Sequence, residues 1–313
     1  MRVESLRTSL VVAVGLLVAG CAGTGNYGAP GIGREALSLE EASREASLRG
    51  QSGRAISLQG EAVETYRRVD DLPAVAAALN RLGNLLQREG RLGEASSAYG
   101  EAALLSVGDV AALAVAENNL GTLAELEGDR AGARSRYESA LVAARSGGAG
   151  TVEAAARSNL GRLALAEGDL SEAQSQLERA LAIDRASGDR AGEAVRLRLL
   201  GAAREAGGDY TEAIAMYAEA LALDRAREDA RAIALDLVLS SEARASRGDS
   251  LDVAVGERRR ARDIHRLLGD EAARSLDERR LAQWCGAIGE GASMDCRLAF
   301  DERSEVVFEA VAP

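Results

Sequence analysis

The chain has 313 residues, of which 47% are apolar and only 3% are aromatic, and its formal charge is −11. This acidic balance argues against nucleic acid as the main ligand, because phosphate binding needs a cationic surface. Few aromatic residues and only three prolines argue against a large β-sandwich or barrel, whereas the abundance of Ala, Leu, Glu and Arg predicts a mostly helical chain.

Residues 1–20 have the pattern of a cleaved export signal. Two arginines precede an unbroken apolar run at 10–19, which is too short to span a bilayer. The run leads through small residues to Cys21, which resembles the lipobox of bacterial lipoproteins. The resemblance implies acylation of Cys21 and, because Ala22 rather than Asp follows, a place in the outer membrane facing the periplasm. An ordinary secretory signal with a chance cysteine is the alternative.

Residues 21–35 are rich in glycine and predict a flexible tether. They contain Gly23-x-Gly25-x-x-Gly28, the spacing of a dinucleotide-binding loop. That motif requires a strand before it and a helix after it, and here a cleaved signal precedes it. We therefore expect no nucleotide and no other cofactor.

One pattern recurs every 38–40 residues through the middle of the chain. A Leu-Gly pair is followed by a second Gly, an Ala, a Tyr or Leu, and another Ala at fixed offsets. The four copies begin at Leu82-Gly83, Leu120-Gly121, Leu160-Gly161 and Leu200-Gly201. Such a unit predicts an antiparallel helix pair that must stack on its neighbours to bury its apolar face.

The residue types of this unit have physical explanations. The first Gly lets the second helix approach closely, and the second Gly suits the left-handed residue that ends a helix. Ser171 and Gln174 predict a capping box at the start of one second helix.

Weaker copies flank the four, so that about six helix pairs are predicted over 36–270. In the last copy Val253 and Arg260 replace the two alanines. The region 271–313 is predicted to hold a capping helix and a tail.

These repeats resemble the tetratricopeptide repeat, with a longer period that is similar to that of kinesin light chain repeats. The resemblance covers about three quarters of the chain. It implies an all-α, right-handed superhelical solenoid whose first helices line a concave groove.

In that family the residues beside the Leu-Gly pair face the groove and bind peptide. Applied here, the resemblance implies a peptide- or protein-binding set of Asn80, Asn84, Asn118, Asn119, Asn159, Arg162 and Arg198. The run Asn118-Asn119-Leu120 looks like the Asn-Asn-Leu of kinesin light chain repeats, where such Asn hold peptide main chain. An amide offers both donors and an acceptor, which suits this role. The alternative is that these amides bond neighbouring helices within the stack.

Residues for catalysis or metal binding are scarce. The single His265 lies in a predicted helix, where a structural role is favoured over that of a catalytic base. No zinc-ligand spacing is present. We therefore predict no enzyme activity and no metal site.

Five arginines cluster in the sixth pair, at positions 258, 259, 260, 262 and 266. A solvated face, partly offset by Arg259–Asp263 and Arg266–Asp270 pairs, is the favoured interpretation. Contact with an anionic partner or headgroup is the alternative.

Two cysteines remain if Cys21 carries lipid. In an oxidising compartment Cys285 and Cys296 are expected to form a disulfide. The bridge would hold the tail, with Phe300, Val306, Val307 and Phe308, over the end of the solenoid. Two free thiols in a loose tail are the alternative.

Together these features predict a membrane-anchored, non-enzymatic adaptor or scaffold of the bacterial cell envelope that binds a peptide or protein in its groove. Envelope lipoproteins of this shape resemble pilotins for pilus or secretion pores and activators of peptidoglycan enzymes. The alternative is a structural component that self-assembles into a homo-oligomer through the ends of the stack. An enzyme or small-ligand receptor is a third, weaker alternative. The sequence does not name the partner.

Overall fold

The computed structural model describes residues 31–106, 108–248, 251–288 and 296. Within these residues it has thirteen helices and no β-strand, which confirms the predicted all-α fold. The helices are α1 Ile32–Leu48, α2 Ser52–Arg67, α3 Leu72–Arg88, α4 Leu92–Leu105, α5 Val110–Leu126, α6 Arg130–Ser146, α7 Gly150–Glu167, α8 Leu170–Ser187, α9 Arg190–Ala206, α10 Tyr210–Ala226, α11 Ala230–Arg247, α12 Leu251–Leu267 and α13 Glu271–Ile288.

Several predictions concern residues outside this described part. They are the export signal 1–20, the lipidated Cys21, most of the tether 21–35, and the tail residues Phe300, Val306, Val307 and Phe308.

The chain divides into two compact units, Met1–Ser106 and Val107–Pro313. In the N-terminal unit α1 packs on α2, α2 on α3 and α3 on α4. In the C-terminal unit each helix from α5 to α13 packs on the next. The first helices of successive pairs there also touch, α5 with α7 and α7 with α9. The helices therefore form six pairs, α1/α2 to α11/α12, followed by α13.

The turn within a pair combines a left-handed glycine with a capping aspartate. Before α8, Gly168 has a φ of 82°, and the next residue, Asp169, accepts a hydrogen bond from the backbone N–H of Glu172 at 3.0 Å. Aspartates cap α6 and α10 in the same way, namely Asp129 and Asp209. The predicted capping box of Ser171 and Gln174 is wrong, because Asp169 already caps the helix and Ser171 lies inside it.

The glycine of each Leu-Gly pair marks the closest approach of the two helices. A Cβ atom on Gly121 would lie 2.6 Å from Tyr137 Cε1, and one on Gly161 would lie 2.7 Å from Leu177 Cγ. The same contact recurs in two other pairs, as Gly83 with Tyr99 and Gly201 with Tyr217. Any larger residue here would displace the second helix, which is the role predicted for this glycine.

The sixth pair keeps the repeat one residue later than the sequence pattern indicated. Val253 is half exposed, whereas Ala254 and Ala261 are fully buried and take the places of the two alanines. Arg258 then stands where the other pairs have Tyr or Leu, and it is buried. The degenerate repeat is therefore a shift of register, caused by a longer turn before α12.

The last helix, α13, is held by an apolar cluster. Leu281 and Trp284 are buried against Ala254 and Val255 of α12, and Cys296 belongs to the same cluster. No helix in the described ranges is long and apolar enough to cross a membrane.

Candidate interaction surface

The residues beside the Leu-Gly pairs lie on one side of the first helices, which we call the first-helix face. In the C-terminal unit, polar side chains of this face connect successive first helices. Asn159 of α7 donates from Nδ2 to Oδ1 of Asn118 on α5 at 3.0 Å. Arg162 makes a two-pronged ion pair with Glu125 of α5, with one N–O distance of 2.7 Å. Three of the predicted binding residues are thus brought together.

The Asn118–Asn159 pair leaves hydrogen-bonding capacity unused. Both side chains are half-buried, and neither makes another side-chain hydrogen bond within the described part of the chain. The Asn118 amide nitrogen therefore retains its donors, and Asn159 Oδ1 retains its acceptor sites. One donor group and one acceptor group remain side by side on this face. Asn119, also half-buried, already has an interaction partner.

Tyrosines of the second helices hydrogen-bond to glutamates of the first helices, next to the polar side chains described above. The hydroxyl of Tyr137 donates to Glu125 at 3.0 Å, and burial raises the pKa of this phenol to about 12. Tyr217 bonds Glu205 in the same way at 3.0 Å. These glutamates lie one helical turn beyond the predicted groove positions. They are absent from the predicted set, although their spacing of four from the glycine was a readable signal.

The N-terminal unit has a cavity of about 510 Å³ on its own first-helix face. Its lining includes the exposed Asn84, whose Oδ1 lies 2.7 Å from the Tyr99 hydroxyl, and Leu37. Arg81, which also lines the cavity, pairs with Glu40. Arg88 lines it too and makes no ion pair with any described carboxylate.

Asn80 is not available for binding on this face. Its side chain is buried and donates to the carbonyl of Ala76 in its own helix at 3.2 Å. The predicted role of Asn80 as a ligand contact is therefore corrected to a role inside the helix packing.

Arg198 is likewise taken into the stack rather than presented to a ligand. Its Nη1 lies 2.5 Å from Asp224 of α10 and 2.9 Å from Asp236 of α11, and both carboxylates are fully buried. Burial raises the pKa of Asp236 to about 7, because desolvation disfavours the charged form. We correct the predicted binding role of Arg198 to that of a buried bridge between three helices.

The acids of this bridge are also absent from the predicted set. Asp224 is followed by Arg225, and the same Asp-Arg dipeptide occurs forty residues earlier at Asp184. Asp184 is also buried and pairs with Arg196 at 3.2 Å. The recurrence of the Asp-Arg dipeptide after forty residues was the sequence signal that could have identified these buried acids.

The first-helix face of the later pairs is apolar and exposed. Val195, Leu235 and Leu276 occupy the same repeat position on α9, α11 and α13, and their exposed fractions are 37%, 46% and 56%. We call these three residues the apolar row. The C-terminal unit thus presents free amide groups on α5 and α7 and apolar side chains on α9, α11 and α13.

Two of the five arginines of the α12 cluster are buried and Arg260 is exposed, so the predicted solvated face is correct only in part. Arg258 pairs with Asp277 at 2.7 Å and with Glu242 at 2.8 Å, and Arg262 is also buried. Arg266 pairs with Asp263 rather than with Asp270, because Asp270 caps α13 by accepting the Ala273 N–H.

The single histidine belongs to the same network. Its Nδ1 lies 2.7 Å from Asp277 Oδ2, and Asp277 is buried between the histidine and Arg258. His265 therefore serves the packing of α12 on α13. Among the described residues no group of His, Cys, Asp or Glu is arranged to hold a metal ion.

The two cysteines near the end of the described chain are joined. Cys285 of α13 and Cys296 form a disulfide, with their Cα atoms 5.6 Å apart.

A family model for the tetratricopeptide repeat matches residues 112–186 and 152–226. These ranges contain the Asn118–Asn159 pair, Arg162 and Arg198. Residues 112–226 of this chain are therefore tetratricopeptide repeats.

Several solved structures share its fold. BtubC (BKLC) of P. vanneervenii is 22% identical with a TM-score of 0.62, over 70% of this chain and 92% of that one. A Rap protein complexed with Competence and Sporulation Factor is 17% identical with a TM-score of 0.59, over 82% and 76%. A protein assigned as a kinesin light chain of Podospora anserina, with nearly identical TPR-like repeats, is 16% identical with a TM-score of 0.50, over 62% and 96%.

No curated protein sequence matches this chain. The solved structures establish its fold, and a tetratricopeptide-repeat fold typically serves as a scaffold for protein–protein interaction.

Proposed function

We propose that this protein is a non-enzymatic adaptor of the bacterial envelope, anchored by lipid at Cys21, that holds an extended protein segment on its first-helix face. The observation that carries the proposal is the half-buried Asn118–Asn159 pair. Its unused donor and acceptor lie side by side, as the N–H and C=O groups of an extended peptide do.

The apolar row gives such a segment a second kind of contact. Val195, Leu235 and Leu276 are exposed at one repeat position, and apolar side chains of a partner would be removed from water there. Main-chain hydrogen bonds supply affinity without reading the partner's sequence, whereas side-chain contacts supply selectivity. The Rap protein of similar fold is bound to Competence and Sporulation Factor, so a fold of this kind can accommodate a ligand.

The proposal that the protein is not an enzyme rests on how its chemistry-bearing residues are used. His265 is held by Asp277, and Asp277 is paired with Arg258, so the imidazole is a structural element. The bridge of Arg198, Asp224 and Asp236 is buried within the helix stack.

The anchor is tested by Cys21→Ser. This variant should escape acylation and accumulate unprocessed or as a soluble periplasmic protein. If it fractionates with the outer membrane at the wild-type level, the lipid anchor is excluded.

The binding surface is tested by proximity labelling in intact cells, using the full chain, followed by affinity measurements with the labelled partner. The doublet Asn118→Ala with Asn159→Ala should weaken binding by about 2–4 kcal/mol, since each amide would lose one or two bonds of about 1 kcal/mol each. The matched control is Ser139→Ala with Ser171→Ala, two exposed positions on second helices.

Two results would contradict the proposed surface. One is a partner whose affinity for the amide doublet equals its affinity for the control doublet. The other is a loss of labelling explained entirely by a lower melting temperature of the amide doublet, which would assign the amides to helix packing.

A further inference from the structure

The first helix pair lacks the close contact between glycine and tyrosine that marks the second. Ser43 stands where the second pair has Gly83, and Gln59 stands where it has Tyr99. Ser43 Oγ donates a hydrogen bond to the carbonyl of Ala55 on α2 at 2.8 Å. A glutamine side chain is shorter than a tyrosine side chain, so Gln59 fills less of the space beside α1.

The cavity of about 510 Å³ opens at this position of the first pair. In the second pair the Tyr99 hydroxyl lies 2.7 Å from Asn84 Oδ1 and 3.0 Å from Gln87 Oε1, one and four positions after Gly83. The residues of the first pair at the four equivalent positions all line the cavity, namely Ser43, Arg44, Ser47 and Gln59. The opposite wall belongs to α3, because α1 and α3 do not pack as closely as α5 and α7 do. The cavity therefore includes the space that a tyrosine fills in the second pair.

Gln59 presents an unused hydrogen-bond acceptor at this cavity. Its side chain is only 2% exposed, and its Nε2 donates to the carbonyl of Ala78 on α3 at 3.1 Å. That bond assigns the amide orientation, since a carbonyl can accept only from the nitrogen. Oε1 accepts no hydrogen bond from any residue that the structure describes. A buried oxygen without a donor is unfavourable, so a ligand that brings an O–H or N–H group gains from filling this position.

The lining of the cavity holds three arginines and two glutamates. Arg81 pairs with Glu40, and Arg44 lies 3.7 Å from Glu41 in an exposed pair. Arg88 makes no ion pair with a carboxylate of the described chain. An arginine binds a carboxylate with two parallel N–H groups, so Arg88 is available to a carboxylate from outside the protein.

Leucines supply the apolar part of the lining. Leu37 and Leu48 of α1 are exposed, and Leu85 of α3 is buried beside them. An apolar ligand body would remove the two exposed leucines from water. The volume of the cavity falls within the range of roughly 300–1,000 Å³ that is typical of small-molecule sites.

We propose that this cavity binds a free phenolic carboxylic acid. The ring of the ligand takes the place that the Tyr99 ring has in the second pair, its hydroxyl donates to Gln59 Oε1, and its carboxylate pairs with Arg88. The site lies in the N-terminal unit, whereas Asn118 and Asn159 belong to the C-terminal unit. The protein thus has a small-molecule site in addition to its proposed protein-binding surface.

An NMR titration of the purified full chain tests the chemistry of the ligand with three matched compounds. The acid 3-(4-hydroxyphenyl)propionate has the ring, the hydroxyl and the carboxylate, and we expect it to bind with a Kd of about 1 mM or below. The compound without the hydroxyl, 3-phenylpropionate, should bind at least ~fivefold more weakly. The uncharged 3-(4-hydroxyphenyl)propionamide should bind at least ~tenfold more weakly.

A variant that fills the cavity tests its position. Ser43→Gly with Gln59→Tyr recreates the Gly83–Tyr99 contact of the second pair, so it should fold and melt no lower than the wild type. Its affinity for the acid should fall at least ~tenfold, because the introduced ring occupies the place of the ligand ring.

A pair of arginine variants tests the site without altering its shape at the base. Arg88→Ala should bind the acid at least ~tenfold more weakly, since the carboxylate loses its partner. The matched control is Arg54→Ala, an exposed arginine of α2 outside the cavity, which should change the affinity less than ~twofold. If the filled variant does not fold, this pair decides the question.

Four outcomes would overturn the inference. The first is no detectable binding of the acid to the wild type. The second is equal affinity of the acid for the wild type and for a folded filled variant. The third is an equal effect of Arg88→Ala and Arg54→Ala. The fourth is binding of the blocked peptide acetyl-Gly-Tyr-Glu-Gly-amide at least ~tenfold more tightly than the acid, which would assign the cavity to a side chain of a protein partner.

Discussion

The third helix pair differs from the fifth at the same place in the repeat. Asn118 and Arg198 both stand three residues before the repeat glycine. Asn118 is half-buried and keeps free donors, whereas Arg198 is enclosed by two fully buried aspartates. The repeat position therefore does not determine the role. The role depends on whether the neighbouring helices supply a carboxylate, which α10 and α11 do through Asp224 and Asp236.

The largest test of this difference is Arg198→Ala. Removing the guanidinium leaves Asp236 without its cationic partner and Asp224 with Arg227 only. At pH 8, where Asp236 is ionised, we expect the free energy of unfolding to fall by about 3–5 kcal/mol, measured by urea denaturation. The control is Arg225→Ala, an exposed residue of the same unit, which should change it by less than about 0.5 kcal/mol. Equal losses would show that Arg198 is not a buried bridge.

The second test uses pH. The pKa of Asp236 is raised to about 7 by burial, so the folded state holds the proton between about pH 4 and pH 7 while the unfolded state has released it. The free energy of unfolding contributed by this group therefore falls as pH rises through that range. Asp236→Asn cannot titrate and should gain about 2–3 kcal/mol relative to the wild type between about pH 5 and pH 8. Glu138→Gln, exposed on α6, should show no such trend.

A smaller effect on the free energy of unfolding is expected when the hydroxyl of Tyr137 is removed. Tyr137→Phe removes the hydroxyl that bonds Glu125, while Arg162 continues to hold that carboxylate. The free energy of unfolding should fall by about 1 kcal/mol. Tyr210→Phe, at the partly exposed first position of α10, serves as the control. A similar loss in this variant would contradict a stabilising role of the hydrogen bond between Tyr137 and Glu125.

The smallest effect on stability belongs to the amides. Asn118→Ala with Asn159→Ala removes one half-buried hydrogen bond, so the free energy of unfolding should fall by no more than about 1 kcal/mol. A loss above about 2 kcal/mol in thermal or urea unfolding would show that these amides stabilise the helix packing, as Arg198 does. The third and fifth pairs would then not differ in the role of this position.

The helix pairs were predictable because a few residue types carry strict spatial demands. Gly121 must lack a side chain beneath Tyr137, and such a requirement leaves a periodic trace in sequence. The caps are only partly predicted, because the helix begins two residues earlier than the capping box requires and Asp169 rather than Ser171 is its N-cap. In the sixth pair the predicted repeat positions are one residue too early, because no residue type in the sequence marks the length of the turn as a glycine marks a close helix contact.

The binding residues were harder to predict than the fold. Asn118 and Asn159 contact each other on the first-helix face, whereas the role of Arg198 depends on Asp224, which is 26 residues away on another helix. Burial of an arginine is decided by such distant partners. The repeat pattern identifies Tyr137 and Tyr217 only as its large residue, so it does not predict their hydrogen bonds to Glu125 and Glu205.

The close contact between each repeat glycine and the large residue of its second helix also links the two positions as sites of mutation. A substitution at Gly121 is tolerable only if Tyr137 changes with it, because a Cβ would meet the ring. The sixth pair is an internal example of such a joint replacement, with Ser241 in place of glycine and the flexible Arg258 in place of the aromatic ring. Sequence divergence of a repeat in this chain therefore requires paired substitutions, in which the glycine and the large residue that contacts it change together.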